Sequence, residues 1–284
     1  MIPVVAGSNP VGHPNPSPLA PRPWRAPALR GATPRAAFRA VSHAILEQIE
    51  LNARGALLSD DPEFLHQLRV GLRRLRAALR AFRDVLPSKS TKRLKRSLRK
   101  LSPKLGAARD WDVLVARLES QHASPELLHK AQARRAAARR VARRALVSKG
   151  FAAIGPGVRG LAVTESRAPL RQFGAAALER AHRKLITQAD GADWNAASAR
   201  HALRIRVKRL RYSCEFFAPA FPAKRVTPYI SALKALQDIL GELNDVAVGR
   251  QLLGFTGDEA ALLTRLGPAW RALERRPAFW RAQA

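Results

Sequence analysis

The chain has 284 residues, of which 46% are hydrophobic, and this is enough to bury one large core or two small ones. Its 51 lysines and arginines stand against only 21 acids, so the net charge of +30 indicates a polyanionic partner or an anionic surface. The single cysteine excludes a disulfide framework, and no apolar run approaches the roughly 20 residues that a membrane-spanning helix needs.

The first 34 residues differ in composition from the rest of the chain. They hold nine of the 20 prolines and no acid, with neither the basic start nor the apolar stretch of a secretory signal. This composition predicts a disordered extension. From residue 35 onward Ala, Leu and Arg dominate, and because all three are strong helix formers we expect almost the whole remainder to be helical.

The stretch HQLRVGLRRLRAALRAFRDVLP, residues 66–87, predicts an amphipathic helix that begins at the N-cap pair Asp61-Pro62 and stops at Pro87. Apolar residues at spacings of three and four predict a buried seam of Leu65, Leu68, Leu72, Leu75, Leu79, Phe82 and Leu86. A row displaced by about 100° carries His66, Arg69, Arg73, Arg76, Arg80 and Arg83. Since like charges at these spacings destabilise a helix, an external anion explains the row better than a solvated face does.

Positive charge continues beyond this helix. Nine lysines and arginines and no acid lie between Asp84 and Asp110, and paired arginines fill residues 134–144. The paired arginines also fit a basic amphipathic face, so membrane-surface binding is an alternative for that segment. The segment GFAAIGPGVRG, residues 150–160, predicts a break in the middle of the chain.

An internal repeat relates the two sides of this break. HALRIRVKRLRYSCEFFAPAFP, residues 201–222, aligns without gaps on residues 66–87 at an offset of 135, and the same offset relates LGELNDV (240–246) to LGAARDWDV (105–113). The alignment places His201 on His66, Arg204 on Arg69, Lys208 on Arg73, Arg209 on Arg74, Arg211 on Arg76 and Asp245 on Asp110. Two motifs that share one offset indicate two related halves of about four helices each. The second row is shorter, because Glu215 and Ala218 replace Arg80 and Arg83.

A duplicated HxLRVxxRRLR helix followed by an LGxxxD segment resembles the CHAD domain, the conserved histidine α-helical domain, over about residues 35–284. The second copy departs from the pattern only mildly, at Ile205 and Lys208. The resemblance implies an all-α fold of two pseudo-symmetric helical bundles around a basic central cavity or groove. We expect one half over about 35–149, a linker over about 150–168 and a second half over about 169–284. No alternating Glu-x-Glu-x-Lys strand pattern of a CYTH triphosphatase occurs, so we expect a stand-alone member.

The resemblance also implies a partner, inorganic polyphosphate, and a cytoplasmic protein associated with polyphosphate granules. The residues expected to bind the polyphosphate are His66, Arg69, Arg73, Arg74, Arg76, Arg80, Arg96, Arg99, His201, Arg204, Lys208, Arg209 and Arg211. A second and weaker group is His43, His182, Lys104 and Lys234.

Other kinds of site are poorly supported by the sequence. The histidines are scattered and the cysteine has no partner, so we expect no metal, and the absence of a Gly-rich cradle or metal-binding carboxylates argues against a cofactor or an enzyme. Asp110 and Asp112 would project to nearly opposite helix faces, so each is expected to orient an arginine or cap a helix. A purely structural role for the histidines remains an alternative.

Nucleic acid is the alternative partner, because it would share the dependence on charge and salt. Only 6% of the residues are aromatic, and the tryptophans do not interleave with the basic row. A stacking platform for single strands is therefore not expected, and nucleic acid is expected only as a non-specific competitor. Oligomeric state and preferred polyphosphate length are left open.

Overall fold

Two groups of four long helices build the protein, and two short helices connect them. A computed structural model describes residues 20–254 and 258–281. The helices in chain order are α1 (Pro34–Leu58), α2 (Pro62–Ala81), α3 (Ser88–Ser120), α4 (Pro125–Leu146), α5 (Lys149–Ala152), α6 (Ile154–Arg159), α7 (Leu170–Ala189), α8 (Ala197–Phe217), α9 (Ala223–Leu253) and α10 (Glu259–Glu274). Short 3₁₀ helices, Arg83–Val85 and Ala218–Ala220, follow α2 and α8. The described residues contain no β-strand, and the predicted all-α class is confirmed.

Helix starts in the first half follow from a shared local signal. Thr33, Asp61 and Ser124 each accept a hydrogen bond from a backbone N–H of the first turn, and a proline follows each of them. The predicted start at Asp61 is thus confirmed. The helix α2 ends earlier than Pro87, at Ala81, and Pro87 directly precedes α3 instead.

The buried core connects the two halves. Within the halves α1 packs on α2, α3 on α4, α7 on α8 and α9 on α10, while α2 on α8 and α3 on α9 pack across them. All seven residues of the predicted α2 seam are buried. Phe82 contacts Phe217, its counterpart in the repeat, at 5.0 Å between ring centroids. Two equivalent residues meet in this way only near a two-fold axis, so the pseudo-symmetry axis passes close to this pair.

The predicted linker, about residues 150–168, is not an extended connection. It contains α5 and α6, and its apolar residues Ile154, Val158, Leu161 and Val163 are buried in the same core as the long helices. The break in the pattern therefore marks short helices that pack on the bundle.

The Pro-rich leader is also packed where it is described. Residues 1–19 lie outside the described residues. In residues 20–33, Leu29 is buried and the Trp24 ring lies 5.9 Å from the Phe216 ring. The prediction of a disordered extension is wrong for residues 20–33, because the bundle buries these apolar side chains. None of the described helices is long and apolar enough to cross a membrane.

Candidate functional site

The packing of α2 against α8 creates a basic pocket near the middle of the molecule. A cavity of about 130 Å³ is lined by Arg73, Arg76 and Arg80 from α2 and by Lys208 and Arg209 from α8. We call these five residues the central pocket. They all belong to the set expected from the sequence, and the structure brings them together because the two basic rows flank the two seams that pack across the pseudo-symmetry axis.

A second cavity, of about 310 Å³, extends the central pocket toward α7 and shares Arg80 and Arg209 with it. A third, of about 500 Å³, continues along the outer side of α7. The cations that line this extension, here called the α7 branch, are Arg83, Arg180, Arg183, Lys184 and Arg206. Lys95 of α3 lies at the second cavity as well.

Most cations of the α7 branch are absent from the set of binding residues expected from the sequence. Arg206 has no basic counterpart in the first half, because the repeat aligns it with Gly71. A comparison of the two basic rows therefore does not identify it as a binding residue. Arg180 and Lys184 lie one helical turn apart beside the small residues Ala177 and Ala181. This pattern of a basic pair next to a small-residue face is the sequence signal that these two residues carry.

Positive charges dominate the electrostatics of the central pocket and the α7 branch. Among the described residues that line these three cavities there is no Asp or Glu. Burial, with Arg73 and Arg204 nearby, lowers the pKa of the Lys208 amine to about 6. Burial and the neighbouring Arg80 lower the pKa of Arg209 to about 10. The free protein thus holds its cations under mutual repulsion, and a bound anion would relieve it.

Two arginine–aspartate groups lie beside the central pocket, one from each half. Burial lowers the pKa of Arg69 to about 10, and the nearby Asp110 opposes this shift. Asp245 opposes the lowering of the Arg204 pKa in the same way. Burial raises the pKa of Asp110, and Arg69 opposes that change. Each half therefore places the aspartate of its LGxxxD segment beside the first arginine of its row.

Asp112 has a different partner, as its opposite projection from the helix predicts. Its carboxylate accepts a hydrogen bond from Nε of Arg139 at 2.9 Å, and its side chain is 1% exposed. Arg139 and Arg143 of α4 also pair with Asp60. This part of the basic α4 face is therefore tied to acids of the same half.

Arg74 and Arg211 are expected from the sequence to bind the anion, but the structure pairs both with Glu215. Arg74 donates to the Glu215 carboxylate at 3.1 Å, and Arg211 donates to its other oxygen. The Arg74 guanidinium also lies 4.8 Å from the Trp24 ring centre. Neither arginine lines the cavities, because Glu215 stands where the first half has Arg80.

The two row histidines have unlike surroundings. His66 is half-buried, and burial together with Arg109 lowers its pKa. His201 is exposed, and its Nδ1 lies 3.1 Å from Oδ1 of Asn244. The repeat aligns Asn244 of α9 with Arg109 of α3. His66 and His201 therefore lie beside equivalent positions of these two helices.

The remaining predicted residues lie outside the cavity linings. Arg99 is exposed but close enough to Arg76 to lower its pKa, so it lies at the rim. Four more of the predicted residues have exposed side chains outside the cavities: Arg96 and Lys104 on α3, Lys234 on α9 and His43 on α1. His182 packs edge-on against Trp280, with ring centroids 5.6 Å apart, away from the cleft.

Comparisons with known proteins agree with this architecture. The family model of the CHAD domain matches residues 40–254. The chain is similar to the crystal structure of the CHAD domain from the plant Ricinus communis, with 30% identity, a TM-score of 0.68, and coverage of 91% of this chain and 94% of that one. It is also similar to PptA from Streptomyces chartreusis, with 18% identity, a TM-score of 0.56, and coverage of 86% and 99%. This second likeness concerns the fold alone. No curated protein sequence matches the chain.

Proposed function

The chain belongs to the CHAD domain family, and from this premise we propose that it binds inorganic polyphosphate in the central pocket. The observation that carries the proposal is the convergence of four arginines and one lysine from both halves on one cavity whose described lining residues include no acid. Such a pocket requires an external anion to balance its charge.

Polyphosphate fits this pocket chemically. It is a flexible chain of closely spaced anions without bases, so its binder needs rows of cations and little else. Arginine suits the task because its planar fork donates two parallel hydrogen bonds to phosphate oxygens and stays charged. Along α2, Arg73 and Arg80 are about 10 Å apart, so they address separated phosphates of one extended chain.

Nucleic acid is a weaker candidate for the same pocket. Single strands are bound largely by stacking of bases on aromatic rings. The aromatic residue in the lining is Tyr212, which is buried, and its ring is contacted by Arg74 and Arg211 at 5.2 and 4.9 Å. With its ring covered, Tyr212 offers no surface for a base.

A competition experiment tests the proposal. The protein is loaded with labelled long-chain polyphosphate, and unlabelled polyphosphate, DNA, RNA and heparin are titrated at one fixed salt concentration. We expect unlabelled polyphosphate to displace the labelled polyphosphate at a lower concentration than DNA, RNA or heparin, when each competitor is counted by its phosphate or sulfate groups. Equal displacement by DNA or RNA would contradict a polyphosphate-selective site.

We further propose that the protein acts by binding and not by turnover, and that in the cytoplasm it associates with polyphosphate granules. A granule surface presents many chains at once, so even moderate affinity per cleft retains the protein there. A fluorescent fusion with Arg73→Glu and Arg80→Glu should lose granule association. Retention equal to that of the unchanged protein would contradict the proposal.

A further inference from the structure

The internal repeat predicts two equivalent exits from the central pocket, one toward each half. The open exit is the α7 branch, which lies between α2, α7 and α8. The repeat places Arg74 on Arg209, Glu215 on Arg80, Phe216 on Ala81 and Gly71 on Arg206. At the counterpart exit an acid thus stands in place of the pocket residue Arg80, a glycine in place of the branch residue Arg206, and a large aromatic residue in place of a small one.

The counterpart exit is also filled. The Trp24 ring packs on Phe216 and lies against the guanidinium of Arg74. The leader is held there by Asn52, which accepts from the Arg22 backbone N–H at 3.1 Å and donates to the Arg22 carbonyl at 2.8 Å. Apolar packing and the Arg74–Glu215 ion pair therefore occupy the place that is an open basic cavity on the other side.

The open exit keeps its charge. The pKa of Lys184 is lowered by burial and by four arginines around it, first of all Arg83 and Arg206. Asp84 pairs with both Arg180 and Arg83, so these two branch cations are already balanced in part. From Arg180 to Gln188 the branch follows α7 for about 12 Å, which extends the basic path well beyond the central pocket.

We propose that bound polyphosphate leaves the central pocket on one side only, along the α7 branch, because Trp24 and the Arg74–Glu215 pair close the opposite exit. This inference rests on the proposed function. The α7 branch therefore determines how affinity depends on the length of the polyphosphate. A short oligomer fills the central pocket, and only a longer chain reaches Lys184 and Arg206.

Two matched double variants test the path. Lys184→Glu with Arg206→Glu reverses two charges of the α7 branch, and Arg22→Glu with Arg25→Glu reverses two exposed charges beside Trp24 at the closed exit. Affinity is measured for tripolyphosphate and for long-chain polyphosphate at one salt concentration. Thermal unfolding checks each fold, and Lys184→Gln with Arg206→Gln replaces the first variant if it does not fold.

The α7 variant should lose at least about tenfold in affinity for the long chain, since two charged contacts are removed, and less than about threefold for tripolyphosphate. The closed-exit variant should bind both ligands like the unchanged protein. Long-chain binding that is unaltered in the α7 variant, or reduced equally in both variants, overturns the one-sided path. Equal loss of both ligands in the α7 variant also overturns it. Failure of the unchanged protein to bind either ligand would instead refute the proposed function.

Discussion

Lys208 gives the central pocket a pH dependence that its arginines do not have. With its pKa near 6 in the free protein, the amine is mostly neutral at pH 8. A bound polyanion favours the ammonium form and raises this pKa, so binding takes up a proton and affinity must rise as pH falls.

The size of this pH dependence follows from the change in the pKa of Lys208 on binding. One proton taken up per binding event changes affinity about tenfold per pH unit, or about 1.4 kcal/mol, above the free-protein pKa and below that of the complex. Between pH 8.5 and 6.5 the affinity should therefore rise by up to about 100-fold. Below about pH 6 this contribution levels off, because Lys208 is then charged in both states. Terminal phosphates lose charge on acidification, and long chains minimise that opposing effect.

The test variant is Lys208→Arg, which copies the residue that the first half has at this position. It should bind up to about 100-fold more tightly at pH 8, because its charge no longer has to be regained. Calorimetry at pH 8 in two buffers of different ionisation enthalpy counts the protons. We expect uptake of about one proton for the unchanged protein and none for the variant. The same proton count and pH profile for both would refute the reasoning.

Three further predictions concern salt, a histidine and a buried ion pair. By analogy with duplex DNA, six to ten phosphate contacts should cost about 10³ to 10⁵ in affinity between 50 and 200 mM salt, measured by filter binding, and a flat response would contradict the electrostatic mechanism. His66→Gln should bind normally at pH 8 but lose the part of the affinity gain that appears below about pH 6.5, because bound anion raises the lowered pKa of His66. An unchanged titration curve in this variant would mean that His66 is structural. Asp112→Asn removes the buried charge that pairs with Arg139, which keeps its pairing with Asp60, and should lower the free energy of unfolding by about 1–3 kcal/mol in urea denaturation; an unchanged free energy of unfolding would contradict this role.

The sequence predicted those features that helical periodicity and the repeat determine locally. The α2 seam is buried in full, Asp110 lies beside an arginine as expected, and the repeat relates this Arg69–Asp110 group to Arg204 and Asp245 in the second half. Both follow from positions within one helix or from one alignment.

What could not be predicted depends on contacts across the bundle. Arg74 and Glu215 are 141 residues apart, so no local pattern shows that their charges cancel. Trp24 lies in a Pro-rich leader whose composition predicts disorder, and only the apolar surface at Phe216 explains why it packs. Lys184 joins the cleft because of how α7 packs on α8, which its own sequence does not specify.

The measurement that tests the central claim most directly compares two charge reversals of equal size. Arg73→Glu with Arg80→Glu changes the central pocket, whereas Arg140→Glu with Arg144→Glu changes exposed side chains of α4. Arg139 and Arg143 are unsuitable controls because Asp60 pairs with both.

Affinity for long-chain polyphosphate is measured for both variants at one salt concentration. The pocket variant should lose at least about 100-fold, because two charge-assisted contacts of about 1.5 kcal/mol each are removed, and the α4 variant less than about threefold. Equal losses in the two variants would show diffuse attraction to a basic surface and would contradict a polyphosphate site in the central pocket.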